Sequence, residues 1–138
     1  MHTARIERTT DEEKITRKRI LLVDDEQHVR ESIRLLLCRD EHTVVEANNG
    51  AEAFSCFNRG QFDLVMTDFE IPFMKGNELA ARIKQLAPRQ PILMITGHGK
   101  RPGPDNPVDA VLNKPVGLDQ LRTAMAKLLS EVGASFTA

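Results

Sequence analysis

Carboxylates, a hydroxyl and an ammonium stand along this chain in a fixed order, each just past a short apolar run. Asp24 and Asp25 follow Ile20 to Val23, Asp68 follows Phe62 to Thr67, Thr96 follows Pro91 to Ile95, and Lys114-Pro115 follows Ala110 to Leu112. A carboxylate such as Asp68 can attack phosphorus to give an acyl phosphate. Both reactants are then anionic, so the barrier is largely electrostatic and positive charge must lie close by. Three carboxylates and one ammonium sum to about −2, which one divalent cation would neutralise. Paired acids facing a third suit Mg²⁺, a hard ion that takes few carboxylates and keeps waters. Thr96 offers a donor to a phosphoryl oxygen, and Lys114 a compact point charge. The bland alternative makes Asp24 or Asp25 a helix N-cap, because adjacent acids before a helix are common. That alternative leaves Asp68, Thr96 and Lys114 unexplained.

The positioning elements follow from periodicity. Strand-like runs near 19–23, 43–47, 62–67, 91–95 and 109–112 alternate with helical patterns, the signature of βα units and a parallel sheet. Val29, Ile33, Leu36 and Leu37 share one helical face, as do Leu79, Ile83 and Leu86, and Leu118, Leu121, Met125, Leu128 and Leu129; Ala53, Phe54 and Phe57 mark a weaker helix. In one parallel sheet all four landmarks gather at the edge where open α/β folds bind ligands. Between Thr96 and Lys114 a helix is expected to be absent or much reduced. Gly97, Gly99, Pro102, Gly103, Pro104 and Pro107 crowd the segment, and each interior proline costs a helix ~3 kcal/mol.

A chain of 138 residues fits one domain that needs no disulfide or structural metal. The expected layout is a charged, mobile arm over 1–17, a folded body over 18–132 and a short tail over 133–138, with no second domain. A net charge of −1 gives no overall basic field, which argues against direct nucleic-acid binding. Cys38 and Cys56 read as reduced thiols inside helices, and no apolar stretch reaches the length of a membrane span or signal peptide; both point to a cytoplasmic protein away from membranes. His2, His28, His42 and His98 are scattered without zinc spacing.

The order and chemistry of the landmarks resemble the receiver domain of bacterial two-component response regulators, in its stand-alone form like the chemotaxis response regulator. Val23-Asp24-Asp25-Glu26 looks like the acidic opening of receivers. Thr67 to Gly76, with Pro72 and Gly76, is similar to the stretch around their phosphoacceptor, and Thr96-Gly97 and Lys114-Pro115 match their hydroxyl and lysine positions. The likeness covers about residues 18 to 131. It implies a flavodoxin-like, doubly wound α/β fold with five parallel strands in the order 2-1-3-4-5. It implies phosphorylation of Asp68 by a sensor histidine kinase or phosphotransfer protein, with Thr96 and Lys114 assisting. The metal would be Mg²⁺, with Mn²⁺ as a substitute, held by Asp24, Asp25, Asp68 and the backbone carbonyl of Glu70. Pro115 implies a cis Lys–Pro bond. Such a module catalyses its own phosphorylation and dephosphorylation and is not a turnover enzyme. It signals to a downstream protein that the sequence does not name.

The chain also departs from the pattern. Receivers commonly carry Tyr or Phe three residues before the lysine, as a switch ring that swings inward; here Val111 stands there, with few rotamers. The reduced fourth helix alters the face that usually carries output and often dimerisation, so a homodimer stays open. One expectation is that phosphorylation orders the segment from Gly97 to Asp109. Glu70 and His98 occupy positions that in receivers flank attacking water and would modulate dephosphorylation, unless both are merely solvated. The altered face also leaves open a degenerate receiver that binds partners independently of phosphorylation. A haloacid-dehalogenase-like phosphatase uses a similar kit, but its nucleophile opens an Asp-x-Asp on the first strand, whereas Asp68 opens Asp-Phe-Glu after an earlier acidic pair. Gly97-His-Gly-Lys100 lacks the upstream Gly and following Ser or Thr of a nucleotide loop.

Overall fold

The computed structural model describes residues 15–97, 103 and 106–137, with side chains to residue 130. Among the described residues five strands and four helices follow in order, alternating except where β5 follows β4: β1 (Arg19–Val23), α1 (Gln27–Cys38), β2 (Thr43–Ala47), α2 (Gly50–Arg59), β3 (Leu64–Thr67), α3 (Gly76–Leu86), β4 (Ile92–Thr96), β5 (Ala110–Asn113) and α4 (Leu118–Thr137). All neighbouring strands pair in parallel, in the order β2-β1-β3-β4-β5. The expected doubly wound sheet is therefore present, with its order reversing beside β1. Strands covered by helices on both faces need apolar residues at successive positions, and the central runs supply them.

Strand alternation sorts those residues into two cores. Ile20, Leu22, Leu64, Met66, Leu93 and Ile95 face Ile33 and Leu37 of α1 and Leu121, Met125 and Leu128 of α4. Leu21, Val23, Val65 and Ile92 face Ala53 of α2 and Leu79, Ala80 and Ile83 of α3. A register slip of one residue would exchange the two sets, so side-chain burial pins the strand ends that build the site.

Some boundaries differ from expectation. Residues 15–17, expected in the mobile arm, belong to the folded body: Ile15 packs on the first core, and Arg17 donates its N–H to Asp40 O at 3.3 Å and pairs with Glu41 at 2.9 Å. The rest of that arm lies outside the described residues. Residues 133–137, expected as a tail, continue the backbone of α4. Phe62 precedes β3 rather than joining it; its ring stacks on Phe57 at 6.4 Å and lies under the Arg19 guanidinium at 5.0 Å. Between β4 and β5 no helix occurs among the described residues. No helix is long and apolar enough to cross a membrane among the described residues.

Candidate functional site

The sheet brings the landmarks together through its hydrogen-bond ladder. Asp68 N–H donates to Val23 O at 3.1 Å, one step past the Val23/Thr67 register pair, so Asp68 emerges beside the end of β1. Asp24 N–H donates to Ala47 O at 3.2 Å and Lys114 N–H to Thr96 O at 2.8 Å, which anchors the acid pair and the lysine to neighbouring strands in the same way. The Lys114–Pro115 peptide is cis, as expected.

The helix-cap explanation of the acid pair does not hold. The N-cap of α1 is Glu26, which makes no side-chain cap bond. Asp24 instead accepts the Glu26 N–H on Oδ1 at 2.9 Å, while its backbone carbonyl accepts from Arg30 Nη1 at 2.7 Å. Arg30 is in turn held by Glu46 at 2.8 Å. Nothing in the sequence flagged this brace, because one arginine on a polar helix face carries no distinguishing pattern.

Charge is concentrated at low exposure. Lys114 Nζ lies 2.8 Å from Asp68 Oδ2 and 2.9 Å from Asp24 Oδ2, with Glu26 Oε1 farther off at 3.8 Å. Asp24 and Asp68 are both buried, at 2% and 7% exposure. Burial pushes the Asp24 carboxyl above its ordinary range, against the opposing pull of the Glu26 N–H and of Lys114. Burial would likewise depress Lys114, but its hydrogen bonds to Asp68 and Asp24 outweigh that and raise it, so the ammonium persists at neutral pH.

Carboxylate oxygens of Asp24, Asp25 and Asp68 lie within 4.8 Å of one another, with Asp25 exposed. Ligands of an octahedral Mg²⁺ stand ~3.0 Å apart when adjacent and ~4.2 Å when opposite, so side-chain rotations that draw the three carboxylates together would seat them on one ion. The donor set fits: hard oxygens only, and one exposed acid leaving the remaining positions open to water.

Thr96 completes the arrangement in an unusual state. It is fully buried, and its Oγ1 has no hydrogen-bond partner among the described residues. Thr67, by contrast, donates its hydroxyl to Asp68 O at 2.9 Å. Thr96 lines a cavity of about 700 Å³ whose polar wall carries Asp68, Glu70 and Lys114 and whose apolar wall carries Val29, Ile33 and Val116. The apolar wall was not foreseen, since Val29 and Ile33 read simply as core positions of α1.

The segment after Asp68 turns tightly back on itself. Gly76 N–H donates to Phe69 O at 2.9 Å, and a Cβ on Gly76 would overlap the Asp68 carbonyl, which is why glycine stands there. Glu70 N–H reaches toward Asp68 Oδ1 at 3.4 Å, and the Glu70 carboxylate is clamped by Lys75 Nζ at 3.1 and 3.2 Å. Glu70 is thus a braced side chain on the cavity rim. Val111 is half-buried in β5. His98 and most of the 97–109 segment lie outside the described residues.

Comparison with known proteins agrees with this geometry. Residues 20–126 match the response regulator receiver domain family. The chain is 36% identical over 116 residues to the response regulator receiver protein CpdR of Brucella abortus, covering 81% of this chain and 97% of that one. It is 34% identical to the transcriptional regulatory protein GlrR of Escherichia coli, spanning 26% of that protein's length. Among solved structures, TrrA of Thermotoga maritima, in complex with Mg²⁺ and BeF, superposes with a TM-score of 0.76 at 32% identity, covering 81% of this chain and 99% of that one. With the acid pair, central Asp68, buried Thr96 and inward Lys114 at one sheet edge, the chain belongs to the response regulator receiver domain family, a family of two-component signalling modules.

Proposed function

We propose that this chain accepts a phosphoryl group on Asp68 from a phosphohistidine donor in the presence of Mg²⁺. A carboxylate oxygen of Asp68 forms the new O–P bond as the P–N bond to the donor imidazole breaks. The imidazole nitrogen leaves with the bonding pair and takes a proton from water. Lys114, already in contact with Asp68, holds positive charge where the phosphoryl oxygens arrive. Asp24, Asp25, Asp68 and the Glu70 carbonyl would hold Mg²⁺, which supplies charge neutralisation to the incoming group.

The observation that carries this reading is the Thr96 hydroxyl. A fully buried oxygen with no partner costs stability, and such groups are rare unless something completes them. It lines the same cavity as Asp68 and Lys114. A phosphoryl oxygen seated there would accept its hydrogen bond.

The test is intact-mass measurement after incubation with acetyl phosphate, with Mg²⁺ or with EDTA. One phosphoryl group per chain is expected with Mg²⁺, and none with EDTA or in Asp68→Asn. Sustained release of phosphate from a small phosphomonoester, which lacks the activated P–O bond of acetyl phosphate, would instead favour a phosphatase.

How the event is read out is a separate proposal. Val111 cannot swing as an aromatic ring would, so the signal is assigned to ordering of residues 97–109. Amide exchange with and without beryllofluoride should show protection gained there; unchanged exchange would refute it. Glu70, through its charge, and His98, by orienting water, are assigned the tuning of phosphoryl lifetime. Unaltered lifetimes in Glu70→Asn and His98→Ala would remove that assignment.

A further inference from the structure

Phe73 is placed against both its own backbone and the core. Its neighbours on either side are tied to the start of α2: Pro72 O accepts the Gly50 N–H at 3.3 Å, and a Cβ on Gly50 would come within 2.5 Å of Met74 Cβ. With the Pro72 carbonyl and Met74 tied to the start of α2, Phe73 stands at the turn between them, with φ at 72° and its surface 85% exposed. The left-handed region crowds any Cβ and suits Gly or Asn far better than a bulky ring. Among the described residues the other large exposed apolar side chains, Leu35 and Leu86, lie on helices with ordinary backbone and need no such explanation. Ile71 of the same loop is buried in the second core. Among the described residues neither backbone preference nor packing favours phenylalanine at this position, and a contact with another molecule would supply the compensation.

The loop's position says what makes that contact. Its ends meet at Asp68 and Gly76, so the tip stands no farther from Asp68 than half the contour of residues 69–75, ~13 Å. A protein partner with a standard footprint of ~800 Å² covers a disc of radius ~16 Å. A macromolecule centred on Asp68 is therefore large enough to reach Phe73, and a small phosphodonor is not. The flanking Glu70–Lys75 pair is neutralised within the loop, and Phe73 is the most exposed large apolar side chain among the described residues.

We propose that Phe73 is an anchor for the phosphohistidine-bearing protein that delivers the phosphoryl group, its ring entering an apolar pocket of that donor. This rests on the phosphoacceptor reading above. The residue acts on docking and leaves the chemistry at Asp68 untouched.

The experiment compares wild type and Phe73→Asn with two donors. One is phosphoramidate; the other is a phosphorylated histidine-kinase domain, chosen from a panel as the fastest donor to the wild type. The phosphoramidate rate should be unchanged, and the melting temperature equal or higher. The rate from the kinase at sub-saturating concentrations should fall roughly ten- to a hundred-fold. It should recover at saturating concentrations, and Phe73→Trp should restore it. Three results would overturn the proposal: an unaffected kinase rate, an equal loss with both donors, or no kinase in the panel faster than phosphoramidate. A fourth is a wild type that dimerises through Phe73, seen as a mass change in the variant, which would assign the ring to a second copy. A wild type unlabelled by phosphoramidate would sink the phosphoacceptor reading itself and this proposal with it.

Discussion

Replacing Lys114 with methionine keeps the length of the side chain and removes its charge, leaving Asp24 and Asp68 facing each other. Their Oδ2 atoms lie 2.9 and 2.8 Å from the ammonium, so they stand at most 5.7 Å apart, the sum of those two distances. At an effective dielectric of about 20, two unit charges at that separation repel by ~3 kcal/mol. Two charge-assisted hydrogen bonds are lost as well, partly offset because Lys114 no longer has to be desolvated. The net cost should be ~3 kcal/mol, the lower end for breaking a buried pair, because the lysine side chain keeps some contact with solvent. For a chain of this length that corresponds to a fall in melting temperature of ~10 °C. The assay is thermal and urea unfolding in EDTA. Adding Asp24→Asn to Lys114→Met should recover much of the loss, since it removes one of the two opposed charges. Asp24→Asn alone should stabilise at neutral pH. Burial raises the Asp24 pKa in the folded state, so its contribution is favourable below the unfolded pKa and is lost as pH rises through the folded value. A loss below ~1 kcal/mol for Lys114→Met, insensitive to Asp24, would show that the lysine behaves as a surface charge and refute the reasoning.

Thr96→Val removes a buried hydroxyl that has no partner among the described residues; stability by urea unfolding should hold or rise by ~1 kcal/mol, while phosphorylation by acetyl phosphate slows. Arg122 grips Asp40 at 2.8 and 2.9 Å, joining the end of α1 to α4, and this hydrogen bond holds the Asp40 carboxyl below its ordinary value despite partial burial. That stability is present above the unfolded pKa and is lost as pH falls through the lowered folded value. With the guanidinium partly solvated, Asp40→Asn should cost only ~1 kcal/mol at neutral pH, and the gap to wild type in a pH series of urea melts should close in strong acid. Gly76→Ala, which places a Cβ on the Asp68 carbonyl, should cost ~1–3 kcal/mol by the same melts and displace the acceptor, lowering the phosphorylation rate.

The strands were legible because each is an apolar run bounded by turn residues, and β1 and β2 coincide with the expected spans. The ends of β3, β4 and β5 shifted by one or two residues, since they are set by hydrogen-bond partners that periodicity cannot see. Asp24, Asp68, Thr96 and Lys114 were legible as candidates because each ends an apolar run, and the parallel register then carries them to one edge. What could not be read was tertiary. The Arg30–Glu46 brace beneath Asp24 and the Lys75 clamp on Glu70 join residues with no shared pattern. Ile15 is a single apolar residue whose packing no period announces. Phe73 looked like one more residue of a family turn until its backbone and exposure set it apart.

The central claim is that Asp68 itself becomes the acyl phosphate. Borohydride reduces an acyl phosphate to the alcohol, so trapping after incubation with acetyl phosphate and Mg²⁺, followed by peptide mass mapping, reads the site directly. Conversion of Asp68 to homoserine, lost without Mg²⁺ and with no other residue modified, is the predicted result. Modification at Asp24, Asp25 or any other residue while Asp68 stays intact would contradict it.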